Sequence, residues 1–224
     1  MRLSKAGLFT VVVGVIYFLA VLETWSRDTH TVFPAEAKPS SGSSIVNRLV
    51  GESIYIVQVE SLENGWTSEI EVSLEPEGHV PFSHIHRSYT EEFKVLEGRL
   101  RLAMAGETRI VEAGQSFLVD PGVAHVPSNP FPERAVFRVR VSGVKNFTTC
   151  LSQIHRRLGD ASSSWVMRHV RVGRLANVCD IYVSAIPWWI QSAGMTLSAP
   201  ILRLLGFPVY EPMVNVQPEE SNNE

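Results

Sequence analysis

The sequence predicts a mainly β domain, a sandwich or barrel of short antiparallel strands, with an apolar N-terminal segment and a helical C-terminal extension. Three observations predict it. Apolar and polar residues alternate with period two in several short runs between residues 48 and 143. Residues 6–22 carry no charge. After Gly143 the apolar spacing changes from that of strands to that of helices.

The N-terminal stretch AGLFTVVVGVIYFLAVL is 17 residues long. As a helix it spans about 26 Å, close to the roughly 30 Å of a hydrocarbon core. Arg2 and Lys5 precede it, and Glu23, Arg27 and Asp28 follow. The positive flank is N-terminal, which predicts a single-pass membrane anchor at 6–22 with residues 1–5 in the cytosol and the rest outside it. A cleaved signal peptide, giving a secreted chain, is the alternative. The best small-x-small site, Ala35-Glu36-Ala37, lies well beyond the apolar run, which favours the anchor. Residues 23–47 read as a linker, because PAEAKPSSGSS at 34–44 is rich in Pro, Ala and Ser.

The strand region follows at 48–143. Ile70, Val72 and Leu74 alternate with Glu69, Glu71 and Ser73. Leu100, Leu102 and Met104 alternate with arginines and Ala103, and Phe137, Val139 and Val141 with Arg138, Arg140 and Ser142. Such runs form half-buried antiparallel strands. Ala105-Gly106 predicts a hairpin turn, and Gly98, Gly114, Gly122 and Gly143 mark further corners. Residues 144–211 predict the helical extension. Leu151, Ile154 and Leu158 share a helical face, and a second helix is predicted over 163–178. The apolar region 181–207 is interrupted by Pro187 and Pro200, which favours a helix or helix pair packed on the barrel over a second span. Residues 212–224 read as a disordered tail.

Composition narrows the function. With 45% hydrophobic residues the chain can build a sizeable core, and a net charge of −3 argues against a nucleic-acid binder, though a local basic groove stays open. Cys150 and Cys179 are too few for a disulfide scaffold. Two buried thiols are the ordinary expectation, and one disulfide, which needs an oxidising compartment, is the alternative. Asn146-Phe147-Thr148 is a glycosylation sequon that agrees with an extracytoplasmic domain. No phosphate loop, dinucleotide fingerprint or nucleophile triad is present.

The chemistry is concentrated between Gly78 and Asn129. His84 and His86 are two apart, so on a strand both imidazoles face one way, about 7 Å apart along the chain. Glu91 follows after room for a turn. Asp120-Pro121-Gly122 is a turn signal between an apolar strand and His125, and a hairpin there would bring His125 to the first group. Three imidazoles and a carboxylate suit a borderline divalent metal. His79 reads as an exposed turn residue. Glu92 is the rival of Glu91, and only one of two strand neighbours can face the site. Tyr89 and Phe93 read as core or pocket walls, Arg138 and Arg140 as outward-facing charges, and Trp188-Trp189 as packing or membrane-interface residues.

These segments resemble the two cupin motifs. The first, G-x5-H-x-H-x4-E-x6-G, is matched at Gly78, His84, His86, Glu91 and Gly98. The second, G-x5-P-x-G-x2-H-x3-N, is matched at Gly114, Gly122, His125 and Asn129, with Asp120 at the proline position and the proline moved to Pro121. The segment from Leu202 to Tyr210 is similar to the tail of small cupins that end in a packed helical segment. The resemblance implies a single cupin barrel, a double-stranded β-helix or jelly roll. It implies metal ligands His84, His86, Glu91 and His125 for a divalent transition metal (Fe, Mn, Ni, Cu or Zn). Similarity to quercetinase-like cupins implies a metal-dependent dioxygenase-type oxidoreductase acting on a small organic substrate, with Glu91 doubling as catalytic base. A metal-dependent isomerase or lyase is the second reading, and a non-catalytic, membrane-tethered binding module the third. The partners expected are a small molecule and the membrane, with a homodimer allowed.

Overall fold

The structure is a computed structural model, and it describes residues 4–29, 33–62, 65–144 and 146–211. The tail at 212–224 and the first three residues lie outside the described residues. Helix α1 (Lys5–Thr29) opens the chain. The strands are β1 (Ser44–Asn47), β2 (Glu52–Leu62), β3 (Gly65–Leu74), β4 (His84–Ile85), β5 (Thr90–Glu97), β6 (Arg99–Met104), β7 (Glu107–Glu112), β8 (Ser116–Val119), β9 (His125–Ser128) and β10 (Ala135–Ser142). The extension holds α2 (Phe147–Gly159), α3 (Trp165–Gly173), α4 (Ala176–Cys179), β11 (Tyr182–Val183) and α5 (Trp188–Leu204).

The strands form a sandwich of two antiparallel sheets. One has the order β1-β2-β3-β10-β5-β8, the other β11-β4-β9-β6-β7. Alternation sets the inner face of each strand, as on β5, where Glu91, Phe93 and Val95 are buried while Glu92 and Lys94 are exposed. The core between the sheets gathers Ile54, Ile56, Leu74, Leu100 and Phe137 among others. Arg138 and Arg140 point outward, as expected, and pair with Glu69 and Glu71 across the β10–β3 ladder.

Two glycines show why the motif positions hold Gly. Gly98 has φ +67 and joins β5 to β6, and a Cβ there would meet the Arg134 carbonyl oxygen at 2.4 Å. A Cβ on Gly78 would stand 2.8 Å from the carbonyl oxygens of both Glu75 and Gly51. Ala105 and Gly106, both at positive φ, close the β6–β7 hairpin as the sequence predicts.

The predicted linker at 23–47 carries more structure than its composition suggests. Helix α1 continues to Thr29, Phe33 and Ala37 are buried in a second core, and β1 pairs with β2. The helix predicted over 163–178 is split into α3 and α4. The apolar region 181–207 gives a short strand, which extends the second sheet beside β4, and a single helix. Helix α5 lies mainly against α1, not the sandwich, and Tyr17 Oη donates to the Leu197 carbonyl oxygen. Helix α1 is the one described helix long and apolar enough to cross a membrane, and most of its large side chains are exposed.

Cys150 and Cys179 are bonded, with Cα atoms 5.7 Å apart, so the disulfide reading replaces that of two free thiols. The bond ties α2 to α4 within the second core, beside Phe33, Ile154 and Leu175. Arg157, fully buried, anchors the last described turn of chain by donating to the carbonyl oxygens of Pro208 and Val209.

Candidate metal centre

His84, His86, Glu91 and His125 converge, as the spacing predicts, and their ligand atoms all lie within 4.8 Å of one another. His84 begins β4, His86 follows that strand directly, Glu91 sits on the inner face of β5, and His125 begins β9. The route differs from the hairpin expected at 120–122. Strand β8 belongs to one sheet and β9 to the other, so the Asp120 turn is a crossover between sheets. What brings His125 to the site is direct pairing of β9 with β4, in which His84 faces His125. The turn forms despite the displaced proline, because the Gly122 N–H donates to the His86 carbonyl oxygen at 2.6 Å and so ties one motif to the other.

Each imidazole is oriented by its own backbone. The Nδ1 atoms of His84, His86 and His125 lie 3.1, 3.0 and 3.0 Å from the carbonyl oxygens of Phe82, Tyr89 and Val123. A carbonyl only accepts, so each Nδ1 carries the proton and each Nε2 presents a lone pair. Glu91 Oε2 lies 3.1 Å from His125 Nε2 and 3.2 Å from His86 Nε2. The second contact lacks hydrogen-bond alignment, and buried His86 Nε2 has no hydrogen-bond partner among the described residues. Three lone-pair nitrogens facing a buried carboxylate repel one another unless a cation stands between them. The donor set therefore fits a divalent metal ion, and backbone-held imidazoles are the usual support of such a site.

The electrostatics of the cluster agree with this chemistry. Burial, and then the neighbouring His125, pull the His84 pKa down to about 4, against an opposing pull from Glu91. Burial alone would raise the Glu91 carboxyl, but without a metal any proton that His125 or His86 carries at Nε2 faces it and holds it below the usual carboxylate range. A neutral imidazole and an ionised carboxylate are the forms a metal needs.

The other singled-out residues sort clearly. His79 and Glu92 are exposed and are not part of the cluster. Tyr89 is buried, stacked on His86 with ring centroids 4.1 Å apart, and Phe93 lies edge-on to His125 at 6.1 Å. Trp188 packs under the Arg87 guanidinium at 3.6 Å, whereas Trp189 is exposed. Asn129, fully buried, donates from Nδ2 to the carbonyl oxygens of Leu74, Glu75 and Glu133, so its role is to close the loops around the site.

Residues 70–141 match the family model described as Cupin domain. The match spans these 72 residues of the 224. No curated protein matches the chain. Solved structures similar to it include KdgF from Halomonas sp., at 15% identity and a TM-score of 0.39, covering 53% of this chain and 97% of that one. An RmlC-like cupin from Shewanella frigidimarina is 18% identical with a TM-score of 0.39, covering 52% and 92%. An oxalate oxidase is 22% identical with a TM-score of 0.38, covering 50% and 65%. None of these likenesses carries an activity to this chain.

Three residues near the site were not found from the sequence. Glu52 and His155 line the cavity beside His84 and Glu91. Glu52 falls in phase with inward-facing Ile54 and Ile56, and His155 lies one helical turn after Leu151, so both were legible as polar residues on apolar faces. Asp180 binds the loop between His86 and Glu91. Its Oδ2 accepts from the N–H groups of Arg87 and Ser88 at 2.8 and 2.7 Å and from Ser88 Oγ at 2.6 Å. Nothing local in the sequence signals a partner that distant.

Proposed function

We propose that this cupin holds a divalent transition metal at His84, His86, Glu91 and His125 and acts as a dioxygenase-type oxidoreductase on a small organic substrate. The observation that carries the reading is the convergence of three backbone-oriented Nε2 atoms and one carboxylate in a buried cluster that opens onto a largely apolar cavity. When bound, the metal supplies Lewis acidity and, for Fe, Mn, Ni or Cu, redox chemistry. The chain's own part is to fix the ligand set, to keep His84 neutral, and to exclude water with the walls formed by Ile54, Phe93, Phe137 and Phe147. Glu91 is the one carboxylate in the cluster, and it is the group that would take a proton from substrate at Oε2.

The same residues serve a metal-dependent isomerase or lyase, and a Glu91 carboxyl that lines the cavity and is held below the usual carboxylate range supports that second reading. Helix α1 is read as a single-pass anchor with the cupin outside the cytosol. The apolar length of α1, its N-terminal positive flank and the Cys150–Cys179 bond support this topology.

The test uses full-length protein in detergent, reconstituted separately with each metal and given a panel of small hydroxylated carboxylates and phenols. Oxygen uptake with at least one metal and substrate, abolished in Glu91→Ala, is expected. Product formed without oxygen uptake transfers the reading to isomerase or lyase. Binding with no turnover of any kind leaves a binding module and ends both enzyme readings.

A further inference from the structure

The cavity beside the metal cluster has a second polar end. Glu52, at the start of β2, and His155, on α2, both line it, and each side chain is 3% exposed. His155 Nε2 lies 2.6 Å from Glu52 Oε2, and His155 Nδ1 lies 2.9 Å from the Leu151 carbonyl oxygen. That carbonyl only accepts, so Nδ1 holds a proton, and a single further proton is shared at the Nε2–Oε2 contact. Wherever that proton sits, the pair has no net charge.

Two features separate this pair from an ordinary buried brace between α2 and β2. The rest of the cavity wall is largely apolar, with Ile54, Val72, Phe137, Val139 and Leu151 among its residues. The wall also contains Tyr89, whose buried Oη has no hydrogen-bond partner among the described residues. A buried hydroxyl without a partner is costly, and a ligand atom in the cavity removes that cost. Thus a largely apolar chamber has His84 and Glu91 of the cluster, an orphan phenol and a neutral Glu–His pair on its walls.

We infer that the Glu52–His155 pair is a specificity subsite, which accepts the hydroxyl of a small organic anion whose oxyanion end lies at the cluster. This rests on the reading that the cluster holds a divalent metal. A doubly charged cation beside ionised Glu91 leaves one net positive charge, which selects an anionic oxygen donor. The uncharged pair selects a neutral hydroxyl over an ammonium or a second carboxylate, because either ion would be desolvated there without a counter-charge. Tyr89 Oη donates to the same ligand. The class is therefore a hydroxyl-bearing carboxylate or phenolate with an apolar body. Helix α2, outside the cupin match, supplies half of the subsite.

The experiment uses full-length protein in detergent, loaded with zinc as a redox-inert metal, with metal content measured for every variant. Para-hydroxybenzoate, para-hydroxyphenylacetate and para-hydroxyphenylpropionate are titrated by calorimetry, each beside its analogue without the hydroxyl. At least one hydroxy acid should bind about tenfold or more tightly than its analogue, since a site built for a hydroxyl rejects the ligand that lacks it. The preference should fall to about twofold or less in Glu52→Leu/His155→Leu. Glu52→Gln, which keeps the side chain's shape, should lower it about threefold or more even where the double variant does not fold. Tyr89→Phe should weaken both members of the pair. Zinc held with no hydroxyl preference, or a preference unchanged in these variants, overturns the subsite alone. A wild-type protein that holds no zinc overturns the metal reading and the subsite with it.

Discussion

Asp180→Ala tests whether the helical extension holds the metal loop in position. One carboxylate oxygen accepts three hydrogen bonds from Arg87 and Ser88, at 2.6 to 2.8 Å, and these residues lie between His86 and Glu91. Hydrogen bonds to a charged acceptor contribute about 1.5–3 kcal/mol each. Three that share one half-buried oxygen do not add, and water replaces part of what is lost. The expected loss is about 2–3 kcal/mol in all, which lowers the melting temperature of a chain this size by about 4–12 °C. Metal affinity should fall by about tenfold, at the low end of the range for supporting residues, because the three carbonyl contacts on the imidazole Nδ1 atoms remain. Asp180→Asn keeps an acceptor and should fall between wild type and Ala. The assay is a chelator-competition titration on full-length protein, with melting measured with and without metal. A lower melting temperature with metal affinity within twofold of wild type would refute the reasoning, and so would no change in either.

Other outcomes follow from the same structure. Replacing both cysteines by Ala should cost about 3–4 kcal/mol, from the 29-residue separation of the linked positions, measured by denaturant unfolding. Unreduced protein should not react with maleimide. His155 is pulled down by burial, but the charge and hydrogen bond of Glu52 outweigh it, so its folded-state pKa is raised. Its contribution to stability is therefore complete below about pH 6.5 and is lost as pH rises through the folded-state value, so wild type should lose melting temperature above that pH more steeply than His155→Gln. Arg157→Leu should cost about 3–5 kcal/mol, because it leaves the Pro208 and Val209 carbonyls and Glu211 without their buried cation. Gly98→Ala should lower the yield of folded protein sharply, since its Cβ would stand 2.4 Å from a backbone oxygen, and the soluble fraction reads this directly.

The cluster itself was legible because its spacing is local. His84 and His86 two apart, Glu91 in phase with Phe93 and Val95, and His125 after a turn are all readable as residue order. The sheet each belongs to was not. The Asp120-Pro121-Gly122 turn looks like a hairpin, and only the long-range pairing of β9 with β4 decides that it crosses between sheets. The segment at 34–44 has the composition of a linker, yet Phe33 and Ala37 on its edge and within it are buried by α2 and the helices after it. The Cys150–Cys179 bond depends on α2 and α4 meeting, which two cysteines 29 residues apart do not announce. Glu52 and His155 were hidden differently. Each follows the periodicity of its element, and their meaning comes only from facing each other across 103 residues.

The central claim is that His84, His86, Glu91 and His125 form one metal site. Metal content of full-length protein, purified without chelator and then reconstituted with Fe, Mn, Ni, Cu or Zn in separate samples, tests it most directly. The structure predicts about one bound ion per chain in wild type and a loss of at least tenfold in affinity in His84→Ala and His125→Ala, each still folded by circular dichroism. A folded wild type that binds none of the five metals, or variants that bind as tightly as wild type, would contradict it.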